Sequence, residues 1–216
     1  MKIAIIYSGL PVFNQKYFDN HYEYIYQYYN PDVYISTYSS DMSSISKIQE
    51  TYRPKLLHTE DYNTINEFLS TIKKQVKSKR PETNIENVLS MTYKIYRSFS
   101  LIPDNTYDII IKNRLDIEFN EKLIIDENSN FNVPMGGDHW HGLMDLFSYG
   151  NYDIMQKYSN LFLYLPTYVF EKHQIFHPEI LLRHHCNMTN LKIRRFKYDI
   201  FLRDQLFNNP LFTFVE

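Results

Sequence analysis

Residues 107–119 read Tyr-Asp-Ile-Ile-Ile-Lys-Asn-Arg-Leu-Asp-Ile-Glu-Phe, an apolar run that passes directly into a polar cluster. A short β-branched run of this kind is typical of a strand that is buried on both faces in a parallel sheet. The start of the chain repeats the pattern, because residues 2–7 are predicted as a strand that is apolar after Lys2 and ends at a Ser-Gly-Leu-Pro turn. Residues 32–37 and 55–58 are predicted as two further strands.

Helical patterns separate these strands. Apolar side chains recur at helical spacing in four segments, residues 14–29, 43–50, 61–78 and 84–100. We expect further helices over residues 151–171 and from Pro178 onward, a late strand at 191–196, and a packed aromatic tail. The basic stretch at 73–80 is predicted to be a solvated helix end. The alternation predicts an α/β fold with a mostly parallel sheet flanked by helices, as one domain over residues 1–216.

Composition excludes several classes of function. The chain has 216 residues and a formal net charge of −2, so no overall positive charge favours nucleic acid or an anionic membrane. One cysteine, Cys186, excludes an internal disulfide and a multi-cysteine zinc site, and we expect it in the core. No apolar run approaches the ~20 residues that span a bilayer, and no signal peptide is recognisable. We therefore expect a cytoplasmic protein without a transmembrane segment.

Ligands of open parallel sheets bind at the carboxyl ends of the strands. Three features of the sequence are expected there: the turn at residues 7–9, the acidic pair Asp116 and Glu118, and the loop around Asp138. We expect them to meet in one cleft. The sequence contains neither G-x-G-x-x-G nor G-x-x-x-x-G-K-[ST], which argues against dinucleotide oxidoreductases and P-loop kinases. The turn at residues 7–9 either only ends the first strand or lets the backbone approach a nucleotide.

The acidic pair allows two interpretations. Asp116 and Glu118 follow a strand at positions i and i+2, so both could bind Mg²⁺ or Mn²⁺ and neutralise a diphosphate, with Arg114 as a second diphosphate contact. Alternatively, they are solvent-facing residues that alternate with buried Leu115 and Ile117. Spacing alone favours the second interpretation.

Four of the five glycines lie within residues 136–150, together with the single tryptophan, Trp140. The backbone must turn or approach another segment closely there. An exposed tryptophan beside His139 predicts a platform for a sugar ring, with Asp138 or Asp145 binding its hydroxyls. A packed aromatic turn explains the composition equally well.

Glu179 follows Pro178 at the expected start of a helix. The helix dipole is expected to keep its carboxylate ionised, as the deprotonation of an acceptor hydroxyl requires. A second, weaker hypothesis uses histidines instead. His139, His141 and His177 are the candidate ligands of a zinc hydrolase.

The order of these features resembles that of small GT-A glycosyltransferases. The likeness is greatest to the uncharacterised polysaccharide-type transferases of bacteria and large DNA viruses. It rests on the run at residues 5–11, on Tyr-Asp-hydrophobic-Arg-x-Asp at 107–116, and on Gly-Asp-x-Trp-x-Gly followed by Asp-Leu-Phe at 137–147. It spans most of the chain.

The resemblance implies a role for each matching residue. Metal binding would fall on Asp116 and Glu118, and the catalytic base would be Glu179 or Asp145. The residues implied in nucleotide-sugar binding are Tyr7, Ser8, Gly9, Leu10, Pro11, Lys94, Arg97, Arg114 and Asp116. Those implied in sugar and acceptor binding are Asp138, His139, Trp140 and Asp145. Two departures stand out: the acidic pair is Asp-x-Glu, not Asp-x-Asp, and Val12 occupies a position where related sequences place arginine. Lys94, Arg97 or Arg203 would then supply the missing positive charge.

The function predicted from the sequence is a metal-dependent glycosyltransferase of polysaccharide biosynthesis. It would use Mn²⁺ or Mg²⁺ and move a sugar from a UDP- or GDP-sugar to a hydroxyl of a glycan acceptor. In an inverting reaction the base takes the acceptor proton in one displacement, whereas in a retaining reaction the donor phosphate is the base. The alternative is a non-catalytic module of the same fold that binds nucleotides or carbohydrates.

Overall fold

The computed structural model describes residues 1–76, 79–172 and 174–202 of the chain. The strands in these ranges are β1 (Ile3–Gly9), β2 (Asp32–Tyr38), β3 (Leu56–Glu60), β4 (Ile109–Asn113), β5 (Ile117–Phe119), β6 (Phe131–Pro134), β7 (Ser148–Gly150), β8 (Ile193–Phe196) and β9 (Ile200–Leu202). Arg203 and the aromatic tail lie outside the described residues.

Helices connect and cover these strands. The α-helices are α1 (Gln15–His21), α2 (Gln27–Tyr29), α3 (Met42–Tyr52), α4 (Asn66–Gln75), α5 (Ile85–Phe99), α6 (Tyr152–Ser159), α7 (Leu161–Pro166) and α8 (Pro178–Met188). A π-helical turn, Tyr22–Tyr26, joins α1 to α2, and another, Thr167–Glu171, follows α7. A 3₁₀ turn, Tyr62–Ile65, precedes α4. In the described part of the chain, no helix has both the length and the apolar character needed to cross a membrane.

Seven strands form one sheet in the order β3-β2-β1-β4-β7-β6-β8. The pairs β3/β2, β2/β1, β1/β4 and β6/β8 are parallel, whereas β7 runs antiparallel to both of its neighbours. The prediction of an α/β fold with a mostly parallel sheet and flanking helices is therefore confirmed. The antiparallel β7 and the separate β5/β9 ribbon are additions to it.

The core forms where apolar residues are continuous in sequence. Every residue of β4, and every residue of β1 before Gly9, is buried. Helix α5 packs on β1 and β2 and buries Val88, Leu89, Ile95 and Phe99 on one stripe. Its first turn is capped by the side chain of Asn84, which accepts a hydrogen bond from the backbone N–H of Asn87 at 3.1 Å. This packing fixes α5 over β1 and β2.

The sheet order contains one change of direction. The chain builds outward from β1 through β2 to β3, and α5 then returns it to the other side of β1, where β4 pairs. The strand ends of β1 and β4 are therefore adjacent while their following connections diverge. Such a switch point leaves a crevice at the carboxyl ends of the two strands.

Candidate functional site

A cleft of about 380 Å³ lies at this switch point. Its floor includes Ser8 and Gly9 at the end of β1, and Arg114 and Asp116 just after β4. Asp145, from the loop between β6 and β7, lies on its wall. The turn after β1 and the segment after β4 therefore meet in one cleft, as the sequence predicted. The loop around Asp138, the third feature expected there, contributes Asp145 to the cleft and not Asp138.

Arg114 and Asp116 form a bidentate ion pair in the cleft. Nε and Nη2 of Arg114 each donate to one carboxylate oxygen of Asp116 at 2.7 Å. Burial by itself raises the pKa of Asp116, but the contact with Arg114 outweighs it and holds the pKa below its usual value. Asp116 is thus an ionised carboxylate whose two oxygens already have a cationic partner.

Glu118 lies outside the cleft. It belongs to β5 and binds the ammonium of Lys16, with Nζ to Oε1 at 2.7 Å. Asp116 is in the turn before β5 and not in the strand, so the i, i+2 spacing does not bring the two carboxylates to one point. Within the described ranges, no group of three or more His, Cys, Asp or Glu side chains is arranged to hold a metal ion. Asp116 and Glu118 therefore do not fit a shared cation site here.

Lys112 is the cleft residue that the sequence analysis missed. Its side chain is almost completely buried, and Nζ donates to the backbone carbonyl oxygens of Leu146, at 2.9 Å, and Asp145. Burial lowers the pKa of Lys112 to about 7. A signal was present, because a lysine interrupts the apolar run of β4 two residues before Arg114. Lys112 fixes the loop that brings Asp145 to the cleft.

Of the two candidate bases, Asp145 lines the cleft, whereas Glu179 does not and instead contacts residues 136–144, the glycine-rich loop. Oε1 of Glu179 is 2.7 Å from Nδ1 of His139, and Oε2 accepts the backbone N–H of the same residue. Burial raises the pKa of Glu179 above its usual value despite these bonds. Glu179 anchors the loop to α8.

Asp138 also holds the loop in place. The guanidinium of Arg195 donates to its carboxylate, at 2.8 Å for Nη1 to Oδ2, and the backbone N–H of Met144 donates to Oδ1 at 2.9 Å. Trp140 is 52% exposed, as a sugar platform requires. Its indole N–H donates to Glu82 at 2.8 Å. Of the predicted acceptor residues, Asp145 alone lines the cleft, whereas Asp138, His139 and Trp140 are exposed outside its lining and are bound to Arg195, Glu179 and Glu82.

The residues of the turn predicted to bind the nucleotide, Tyr7 to Pro11, also differ in whether they line the cleft. Ser8, Gly9 and Leu10 line the cleft, and Gly9 has a φ of 126°, which favours glycine. The side chain of Tyr7 is fully buried and bonded to His21, and Pro11 is buried outside the cleft lining.

The two helical cations lie beside the ends of β2 and β3. Lys94 is fully buried and donates to Glu60 at 2.6 Å and to the carbonyl of Thr37 at 2.7 Å. Arg97 donates to Nε2 of His58 at 3.2 Å. Both positive charges therefore have partners away from the cleft lining.

The predicted zinc site is not formed by the described residues. Nδ1 of His139 contacts Glu179, and Nε2 of His177 is 3.9 Å from Glu82. No third ligand joins these pairs among the residues that the structure describes. The structure therefore lends no support to the hypothesis of a zinc hydrolase.

No protein-family model matches the sequence. No curated protein matches it either. Among solved structures, mouse xyloside xylosyltransferase 1 in its apo form is similar, with a TM-score of 0.46 and 9% sequence identity over 90% of this chain and 84% of that chain. A likeness of this size assigns neither a family nor an activity.

Proposed function

We propose that the protein is a glycosyltransferase that moves a sugar from a nucleotide diphosphate donor to a hydroxyl of a glycan acceptor. One observation carries the proposal: a single cleft at the β1/β4 switch point joins the Ser8–Gly9 turn, the Arg114–Asp116 pair and Asp145. The resemblance of residues 5–11, 107–116 and 137–147 to polysaccharide-type transferases supports the same class. Donors of the UDP- and GDP-sugar classes are both consistent with it.

The cleft offers groups for both halves of the reaction. A donor diphosphate beside Arg114 would be bound by a guanidinium that Asp116 orients, and its negative charge would favour the ammonium form of the neighbouring Lys112. During transfer, the bond from the anomeric carbon to the phosphate oxygen breaks and a bond to the acceptor oxygen forms. In an inverting displacement, the acceptor proton passes to the Asp145 carboxylate, and the diphosphate leaves as an anion stabilised by Arg114.

Dependence on Mn²⁺ or Mg²⁺ is a separate proposal. The Asp116 carboxylate is the ligand type that these ions prefer. In this structure, however, Arg114 binds both of its oxygens and Lys16 binds Glu118. Because the predicted pair does not fit a cation, we derive no step of the reaction through one.

The separation of Asp116 from Glu118 favours a second candidate function. A non-catalytic binding module of this architecture would retain the cleft without a pair of carboxylates arranged to hold a metal ion. Such a module would bind a nucleotide sugar in the cleft without releasing nucleoside diphosphate. Binding and turnover therefore have to be measured separately.

Calorimetric titration with UDP- and GDP-sugars, with and without Mn²⁺, tests the binding part of the proposal. We expect one nucleotide class to bind, and Arg114→Ala to weaken that binding by about tenfold or more, since a charge-assisted contact contributes roughly 1.5–3 kcal/mol. Lys47→Ala, an exposed cation on α3, is the matched control and should bind as wild type does. Binding that strengthens with Mn²⁺ would support metal dependence. The absence of binding for every nucleotide sugar would contradict both the transferase and the module.

A further inference from the structure

The cleft has a second wall, which the reaction described above does not use. The first half of α5 contributes Asn87, Ser90 and Met91 to the cleft lining. Ser90 and Met91 follow Asn87 by three and four positions, so the three residues lie on one face of the helix. The 3₁₀ turn before α4 contributes Tyr62 to the same lining. These four residues form what we call the α5 wall.

Tyr38 connects the two parts of the α5 wall. Its hydroxyl accepts a hydrogen bond from Oγ of Ser90 at 2.8 Å. Its ring lies edge-to-face with the ring of Tyr62, and the two ring centres are 5.0 Å apart. Tyr38 is the last residue of β2 and is buried. The Tyr62 ring and the Ser90 hydroxyl are therefore both fixed by one buried side chain at the end of β2.

The α5 wall is accessible to a ligand. Asn87 is exposed, and Tyr62, Ser90 and Met91 are partly exposed. The cap of α5 uses only the backbone N–H of Asn87, which donates to the side chain of Asn84. Among the residues that the structure describes, the side-chain amide of Asn87 has no hydrogen-bond partner. Its carbonyl oxygen and its NH₂ group can therefore both bind a ligand.

The charged residues of the cleft lie on its other side. In the described lining, these residues come from β4, from the turn after it and from the loop before β7, and they are Lys112, Arg114, Asp116 and Asp145. Because β1 separates β2 from β4 in the sheet, the α5 wall lies on the β2 side and the charged residues lie on the β4 side. The cleft therefore fits a ligand with an anionic part near Arg114 and an uncharged part at the α5 wall.

A nucleotide consists of these two parts, an anionic diphosphate and a flat, uncharged base. An aromatic ring stacks on the face of any base. A side-chain amide pairs with the edge of a base, since its carbonyl accepts and its NH₂ group donates. Uracil presents an N–H donor beside carbonyl acceptors, which matches both groups of an amide. Guanine presents two adjacent donors, N1–H and the 2-amino group, and a carboxylate would match these better than an amide does.

We propose that the α5 wall is the base subsite of the nucleotide donor and that it prefers uracil to guanine. The ring of Tyr62 stacks on the base. The amide of Asn87 accepts from N3–H of uracil and donates to a neighbouring carbonyl oxygen. The proposal rests on the proposed function for the presence of a nucleotide, and it selects UDP-sugars from the two donor classes.

Calorimetric titration with UDP and with GDP, without a sugar, tests the preference. UDP should bind to wild type at least about tenfold more tightly than GDP, and Asn87→Asp should lower this ratio by about tenfold or more. A carboxylate accepts from both guanine donors and offers no donor to uracil. Asn87 is the third residue of α5, where an acidic side chain favours the helix, so the variant should fold. Asn105→Asp, in the exposed loop that leads to the amino end of β4, is the matched control and should keep the wild-type ratio.

Substitutions of Tyr62 test the stacking. Tyr62→Leu should weaken the binding of UDP and of GDP alike, by about tenfold, because stacking does not depend on the identity of the base. Tyr62→Phe keeps the ring and should bind both diphosphates within about twofold of wild type. Tyr22→Leu, at an exposed tyrosine of the first π-helical turn, is the control and should bind as wild type does.

Two results would overturn the base subsite: wild type binding GDP as tightly as UDP or more tightly, or Asn87→Asp and Tyr62→Leu both binding as wild type does. The urea midpoint of each variant shows whether it is folded. Release of nucleoside diphosphate from a nucleotide sugar keeps the two proposals apart. Turnover with binding that both variants leave unchanged overturns only the subsite. UDP binding that depends on Asn87 and Tyr62, without turnover of any nucleotide sugar, overturns only the transferase, and binding of neither diphosphate overturns both.

Discussion

His21 is completely buried behind β1 and is bonded at both ring nitrogens. Nε2 is 2.8 Å from the carbonyl oxygen of Ile117, and Nδ1 is 3.1 Å from the hydroxyl of Tyr7. A carbonyl only accepts, so Nε2 carries the proton and Nδ1 accepts from Tyr7. Tyr26 and Asn113 then donate to the Tyr7 oxygen. The network needs the neutral imidazole, and burial lowers the pKa of His21 to about 4.

This pKa makes stability depend on pH in a defined window. Between the ordinary histidine pKa of 6.5 and about 4, the unfolded chain binds a proton at this site that the folded chain does not, so acidification favours unfolding. At roughly 1.4 kcal/mol per pKa unit, His21 should cost about 3 kcal/mol of unfolding free energy across this window. Urea unfolding at about pH 7 and about pH 4 measures the loss.

His21→Gln should flatten the dependence by a similar amount, although it lowers stability at neutral pH. His141→Gln, at an exposed histidine, is the control and should retain the wild-type slope. Equal slopes in wild type and His21→Gln would show that His21 is not protonated on unfolding.

At the scale of elements, the glycine-rich loop and the first turn of α8 are in direct contact. A Cβ added to Gly142 would lie 2.5 Å from Cβ of Glu179 and 2.7 Å from its backbone carbonyl carbon. The N–H of Leu143 donates to the carbonyl of Glu179 at 3.0 Å, and Arg183 donates to the carbonyl of Gly142. The loop therefore sits on α8 only because residue 142 has no side chain.

Gly142→Ala should push this loop off α8. We expect a loss of about 1–3 kcal/mol of unfolding free energy from overpacking, together with a change in Trp140 emission, because Trp140 belongs to the same loop. Gly150→Ala is the matched control, because Gly150 lies in β7 and not in this loop. The added methyl group there would meet the side chain of Ile154 first, at 2.7 Å from Cγ2. It should leave the emission unchanged. An unaltered urea midpoint and emission for Gly142→Ala would contradict the contact.

The longer elements were predictable because their signal is local. β1, β2, β4 and α5 carry apolar runs or stripes of sufficient length, and the structure has each within a few residues of the expected bounds. The strands β5, β6, β7 and β9 contain only three or four residues, too few to show a period. The predicted helix over residues 14–29 is interrupted by a π-helical turn and ends at Asn30 in a left-handed conformation.

At the scale of the whole molecule, the site follows from the sheet order. The ends of β1 and β4 were predicted to carry the ligand site, and Ser8, Gly9, Arg114 and Asp116 are found there. The partners of those residues could not be predicted. Glu118 binds Lys16, about a hundred residues earlier in the chain, and no local pattern reveals such a pair.

Which acidic residues reach the cleft is likewise a property of the assembled fold. Asp145 lines the cleft because Lys112 donates hydrogen bonds to the carbonyl groups of its loop. Glu179 does not line the cleft, because its carboxylate is bound to His139. Both residues were candidates for the base, and sequence spacing does not separate them. The structure favours Asp145 by position alone.

The central claim is that the β1/β4 cleft transfers sugar from a nucleotide donor. The most direct test is to screen UDP- and GDP-sugars for release of nucleoside diphosphate by wild type, Asp145→Asn and Arg114→Ala, with Glu118→Gln as the acidic control outside the cleft. The account predicts release by wild type with one donor class, a loss of about a hundredfold or more in Asp145→Asn and Arg114→Ala, and a smaller effect in Glu118→Gln. Turnover by Asp145→Asn and Arg114→Ala at the wild-type rate would contradict it.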